Sequence, residues 1–122
     1  MNKKERPVIQ SIVNKSTTVT EKFQNEVIRP VIKMQHKLLI VLFEDYLFEK
    51  KIEFALVSKD KKSQKIQSIL KTDLKFRTLI LGCIVGCFSV EELKIYNANR
   101  SEFSKRINQI IIQRLQDTYS IN

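Results

Sequence analysis

Apolar residues recur along the chain at helical spacing, and the densest stretch is Leu38-Leu39-Ile40-Val41-Leu42-Phe43. Periodicity inside such a run cannot separate a buried strand from a buried helix. The flanks decide. Phe23, Val27, Val31, Met34, Leu38 and Leu42 recur every three or four residues and form one stripe at about 100° per residue. Thr18 and Glu21 fit a capping box at its start. Ile32, Ile40, Phe43 and Leu47 form a second stripe on the far side. A helix apolar nearly all round is buried nearly all round. The pattern therefore predicts a central helix over 32–48 with protein on both flanks, from other helices or from a second copy. Pro30 lacks an N–H and clashes with the carbonyl four residues back, so a kink is expected there.

Shorter elements follow. Residues 52–57 read as a connection whose apolar side chains close the core. A helix over about 60–71 buries Ile66, Ile69 and Leu70. Asp73 caps another over about 74–86, with Phe76, Leu79, Ile80, Cys83 and Ile84 inward. Gly82 and Gly86 are four apart, a spacing that lets helices approach closely; Gly86 could instead be a left-handed terminator. Ser89 with Glu92 is a capping box for a helix over about 90–98, with Phe88 stapled onto Leu93. Asn99 precedes the last helix, about 100–119, which turns Phe103, Ile107, Ile110, Ile111 and Leu115 inward. The expectation is an all-α domain of about five helices, 18–122, around the kinked central one. Residues 1–17, basic and without sustained periodicity, read as a flexible tail with one short docked turn around Pro7, Val8, Ile9, Ile12 and Val13.

Composition supports helices. Two Gly and two Pro in 122 residues leave too few turn formers for an all-β domain. The net charge is +9, compatible with contact to nucleic acid, ribosome or anionic membrane, and equally with plain solubility. Charges near the amino end are not followed by an apolar leader core, and Leu79 to Val90 is too short to span a bilayer. Cys83 and Cys87, four apart on a helix, lie beyond disulfide reach. A cytoplasmic protein with reduced thiols, away from membranes, is expected.

Candidate chemistry is sparse. His36, the single histidine, has Ile32, Lys33 and Ile40 as helical neighbours, and no set of His, Cys and carboxylates supplies a zinc site. Cys83 and Cys87 sit in apolar context as small core residues, and Arg77 is off the Cys83 face. The glycine pair lacks the Lys-Ser or Lys-Thr of a phosphate loop. No cofactor or catalytic residue is expected. Asp45 on the first stripe and Arg114 on the last helix are charges at apolar positions. A buried charge needs a partner, so they are expected to pair, with Arg77 as the alternative donor. Lys59, Lys61, Lys62, Lys65, Lys71, Lys75 and Arg77 form a basic stretch. They could track phosphates without reading sequence, though Phe76 is the one interleaved aromatic and base stacking is not indicated.

Glu21-Lys-Phe-Gln-Asn-Glu-Val-Ile-Arg-Pro30, Asp73-Leu-Lys-Phe-Arg77, Gly86-Cys-Phe-Ser-Val-Glu-Glu92 and Lys105-Arg-Ile107 carry a resemblance. Between Glu21 and Leu115 the chain resembles an uncharacterised family of small all-helical bacterial proteins, members of which are sometimes labelled glyoxalase. That label implies a metal-binding α/β fold, for which this sequence has neither strands nor ligands. The resemblance thus implies helices and carries over no catalytic residue. The expected function is a helical protein-interaction module, with homodimerisation through Ile32, Ile40, Phe43 and Leu47. The other expectation is a nucleic-acid- or ribosome-associated protein using the 59–77 stretch.

Overall fold

Pro30 dictates how the first third of the chain is built. In the computed structural model, which describes residues 18–120, helix α1 (Val19–Phe23) passes into a π-helical turn, Gln24–Ile28, and then into α2 (Arg29–Met34). The Arg29 N–H reaches back five residues to the Gln24 carbonyl. This wider turn eases the carbonyls that the Pro30 ring would strike in a regular helix. A second interruption falls at Gln35 (φ −91°, ψ 8°), and α3 (His36–Glu49) continues from it. The irregularity expected near Pro30 is therefore spread over two places.

The π turn inserts one residue into the helical phase. Phe23 and Ile28, five apart, are both buried, whereas Val27 is only half-buried. The buried stripe continues through Val31, Ile32, Gln35, Leu39, Phe43 and Leu47. The sequence stripe through Leu38, Leu42 and Asp45 is rotated outward by about 100°, one residue's turn. Three corrections follow. Ile32, Phe43 and Leu47, expected as an oligomer face, are buried core, and Ile40 is half-buried against that core. The far side of α3 is left exposed by the described residues: Leu38 is 37%, Val41 55% and Phe48 86% exposed. Asp45 is exposed and pairs with no cation among the described residues.

Arg114 is half-buried and meets His36 instead, its Nε donating to Nδ1 at 2.9 Å. The acceptor nitrogen carries no proton, so the imidazole is neutral with its proton on Nε2. Burial lowers the His36 pKa, and the Arg114 charge lowers it further.

The remaining elements are a 3₁₀ turn (Phe54–Leu56), α4 (Lys59–Thr72), α5 (Leu74–Val85), α6 (Val90–Ala98) and α7 (Arg100–Ser120). Among the described residues every regular element is helical, and none is long and apolar enough to cross a membrane. Local signals set the ends. Asp73 accepts the Phe76 N–H at 3.1 Å and starts α5. Ser89 and Glu92 form the full reciprocal box of α6. Thr18 accepts the Glu21 N–H at 3.1 Å. Gly86 ends α5 in ordinary right-handed conformation (φ −61°). Among the described residues no other helix approaches the glycine pair closely: nothing lies within 4 Å of where a Cβ on Gly82 would sit. The tail expected over 1–17, with its docked turn, lies outside the described residues.

Two joints hold the core. Phe43, fully buried, faces Phe54, Phe76 and Tyr119 at ring-centroid distances of 5.7, 6.2 and 5.5 Å, linking α3 to α5 and α7. The second joint is α7 on α4. Its amides lock the register: Asn108 Nδ2 donates to the Leu70 carbonyl at 3.2 Å, and Gln116 Nε2 to the Ser63 carbonyl at 3.1 Å. Tyr46 donates to the Asp73 carboxylate at 2.8 Å, and burial with that bond pushes the phenol up to about 12. Gln35 Nε2 donates to the Cys83 carbonyl at 3.2 Å, so α3 and α5 run antiparallel.

Two measurements check this description. Leu39→Ala, in the core, lowers unfolding free energy by about 2–5 kcal/mol, and its neighbour Leu38→Ala by under about 1 kcal/mol, in denaturant titrations of dilute protein. An uninterrupted helical phase would give the reverse order. The second concerns acid. Because the folded-state pKa of His36 is depressed, the unfolded chain takes up the proton first as pH falls below 6.5. Stability is present above that value and is lost on acidification through it. His36→Gln flattens the fall in thermal midpoint between neutral pH and the onset of carboxylate titration.

A cationic groove between α5 and α7

A recess of about 840 Å³ lies between α5 and α7. Its apolar floor is core side chains: Ile80 and Leu81 from α5, with Ile107, Ile111 and Ile112 from α7. Four cations line it: Lys71 at the end of α4, Arg77 on α5, and Arg100 and Lys105 on α7. Hydroxyls of Thr78, Ser101 and Ser104 and the amides of Asn108 and Gln109 complete the wall. No Asp or Glu contributes to it.

Neighbouring elements aim these groups. Asp73 fixes the first turn of α5 and so where Arg77, four residues on, emerges. Asn108 ties α7 to the last turn of α4, beside Lys71. Ser104, Lys105, Asn108 and Ile112 lie three, four, seven and eleven residues after Ser101 and so share one face of α7 with it. Tyr96, buried in α6, shares a hydrogen bond with Ser104. Arg100 lies with its guanidinium carbon 5.9 Å from the Tyr96 ring centroid and donates to Asn97 Oδ1. None of Lys71, Arg77 and Lys105 is held by a carboxylate among the described residues.

Two smaller recesses differ in charge. One, about 240 Å³, sets Lys59 and Lys62 against Asp60 and Asp117. The other, about 320 Å³, is lined by Arg29, Arg106 and Arg114 together with Asp117. There Arg106 is spent on Glu102 at 2.9 Å and Gln24 at 2.8 Å, and Arg114 on His36. Of these three recesses, the α5–α7 groove is the one whose lining holds cations and no carboxylate.

The basic stretch expected to act together is divided. Lys71 and Arg77 enter the large groove, while Lys59 and Lys62 line the first small recess, with Lys62 over the Phe54 ring at 5.8 Å. Lys61, Lys65 and Lys75 are exposed outside all of these recesses. Arg100, Lys105 and the hydroxyl stripe of α7 did not emerge from sequence reasoning. The signal was there, in small polar residues at helical spacing beside the apolar stripe of the last helix.

Burial pushes the Cys83 thiol up, and neighbouring Cys87 adds to this, the opposite of an activated thiolate. No group of three His, Cys, Asp or Glu that could hold a metal occurs among the described residues. Comparison with protein-family models, with curated proteins and with solved structures finds no match to this chain.

Proposed function

We propose that this protein is a non-enzymatic helical interaction module of the reducing cytoplasm, and that its binding site is the groove between α5 and α7. The occupant is an acidic amphipathic helix of a partner protein. The observation that carries this reading is the wall itself, four cations and no carboxylate around an isoleucine and leucine floor. A helix laid in a groove uses its apolar face on the floor and its charged edges on the rim. From Arg100 to Ile112 the α7 side is about 18 Å long at 1.5 Å per residue, room for three turns of such a helix. Nucleic acid is served less well. Phosphates need no apolar floor, and no aromatic side chain lines the groove for stacking. The reading also takes the chain as one of the small helical bacterial proteins it resembles, and assigns it no catalytic residue.

The test titrates the full chain with two fluorescent peptides of one amphipathic helical pattern, one carrying Glu and the other Lys on its polar face. The Glu peptide binds, weakens as salt rises, and loses at least tenfold in affinity, about 1.4 kcal/mol, with Arg77→Glu and with Lys105→Glu. Lys61→Glu with Lys65→Glu leaves it unchanged. Equal binding of both peptides, or binding of single-stranded RNA that depends on Lys61 and Lys65 instead, overturns the proposal.

A further inference from the structure

The uncovered side of α3 has an ordered pattern. Leu38, Val41, Asp45 and Phe48 follow one another by three, four and three residues, the a–d–a–d spacing of a two-helix seam. The apolar members are 37%, 55% and 86% exposed, and the first two belong to the most apolar stretch of the chain. Leaving three turns of such a stripe in water is costly, and exposed Phe in particular marks an interaction surface. Charge along the helix is graded. Within α3, Lys37 stands in the first turn, while Glu44, Asp45 and Glu49 crowd the second half; Lys33 precedes the helix and Lys50 and Lys51 follow it.

We propose that a second copy of this chain covers the seam, with the two α3 helices antiparallel. Only an antiparallel pairing sets the basic half of one helix against the acidic half of the other, and it does so twice by symmetry. With the dyad between Leu38 and Val41, Leu38 packs on the second copy's Val41, and Phe48 reaches past the start of the second copy's α3 to the end of its α2, at Met34. Lys37 then faces the second copy's Glu44 along the same edge. A parallel pairing would set Glu44 against Glu44 and Asp45 against Asp45. Asp45 has a role here: a single polar residue in the seam fixes its register. The face is separate from the α5–α7 groove, and none of its residues lines that groove. The interface is short, of the class of small, reversible contacts.

Sedimentation of the full chain over a micromolar concentration series reads the outcome directly. The expected result is a reversible rise from 14.4 kDa towards twice that mass. Val41→Asp raises the dissociation constant at least tenfold, and Phe48→Glu is a second disruptor at a position where folding tolerates charge. Lys37→Glu weakens pairing, and adding Glu44→Lys restores it, because the swap keeps opposite charges facing. A particle of 14.4 kDa at every concentration overturns the proposal, whether the seam is then bare or covered by residues 1–17 of the same chain. A dimer indifferent to Val41→Asp and Phe48→Glu overturns it as well.

Discussion

The ring of one proline determines which side of the longest apolar stretch becomes interior. Pro30 contributes no N–H, and its ring occupies the space of a carbonyl in the turn before it. The chain answers with the π turn Gln24–Ile28. One inserted residue rotates everything downstream, so Leu39, Phe43 and Leu47 turn inward while Leu38, Val41 and Phe48 turn out. The aromatic joint at Phe43, the Arg114–His36 contact and the bare side of α3 all inherit that rotation.

Helix ends were legible because their causes are local. Asp73, Ser89 and Glu92 each satisfy backbone donors within three residues, and α5 and α6 begin where those residues predict. Helical class was legible from the scarcity of turn formers. The facing of α3 was not. A π turn leaves the apolar spacing nearly intact, because Val27 and Ile28 are both apolar and either could carry the stripe. The misplaced Asp45 followed from that ambiguity. Arg114 was expected to pair with Asp45, but its nearby acceptor is an imidazole nitrogen rather than a carboxylate.

The groove was illegible for a different reason. Its cations come from three helices, and proximity in sequence joined Lys71 and Arg77 to Lys59, Lys61, Lys62, Lys65 and Lys75 rather than to Arg100 and Lys105. Composition could announce a surplus of positive charge without saying where the chain fails to neutralise it. That depends on where Asp60, Glu102 and Asp117 come to rest, which is beside the other lysines and arginines.

The paired amides of α7 have a mechanical meaning. Asn108 and Gln116 grip two carbonyls of α4 a full two turns apart. Sliding either helix by a fraction of a turn would break both contacts at once, so this pair behaves as a fixed base plate. The joint between α4 and α5 is a single residue, Asp73. Any breathing that admits a guest between α5 and α7 is therefore a swing of α5 on that pivot, carrying Ile80 and Leu81 with it while the α7 isoleucines of the floor stay in place.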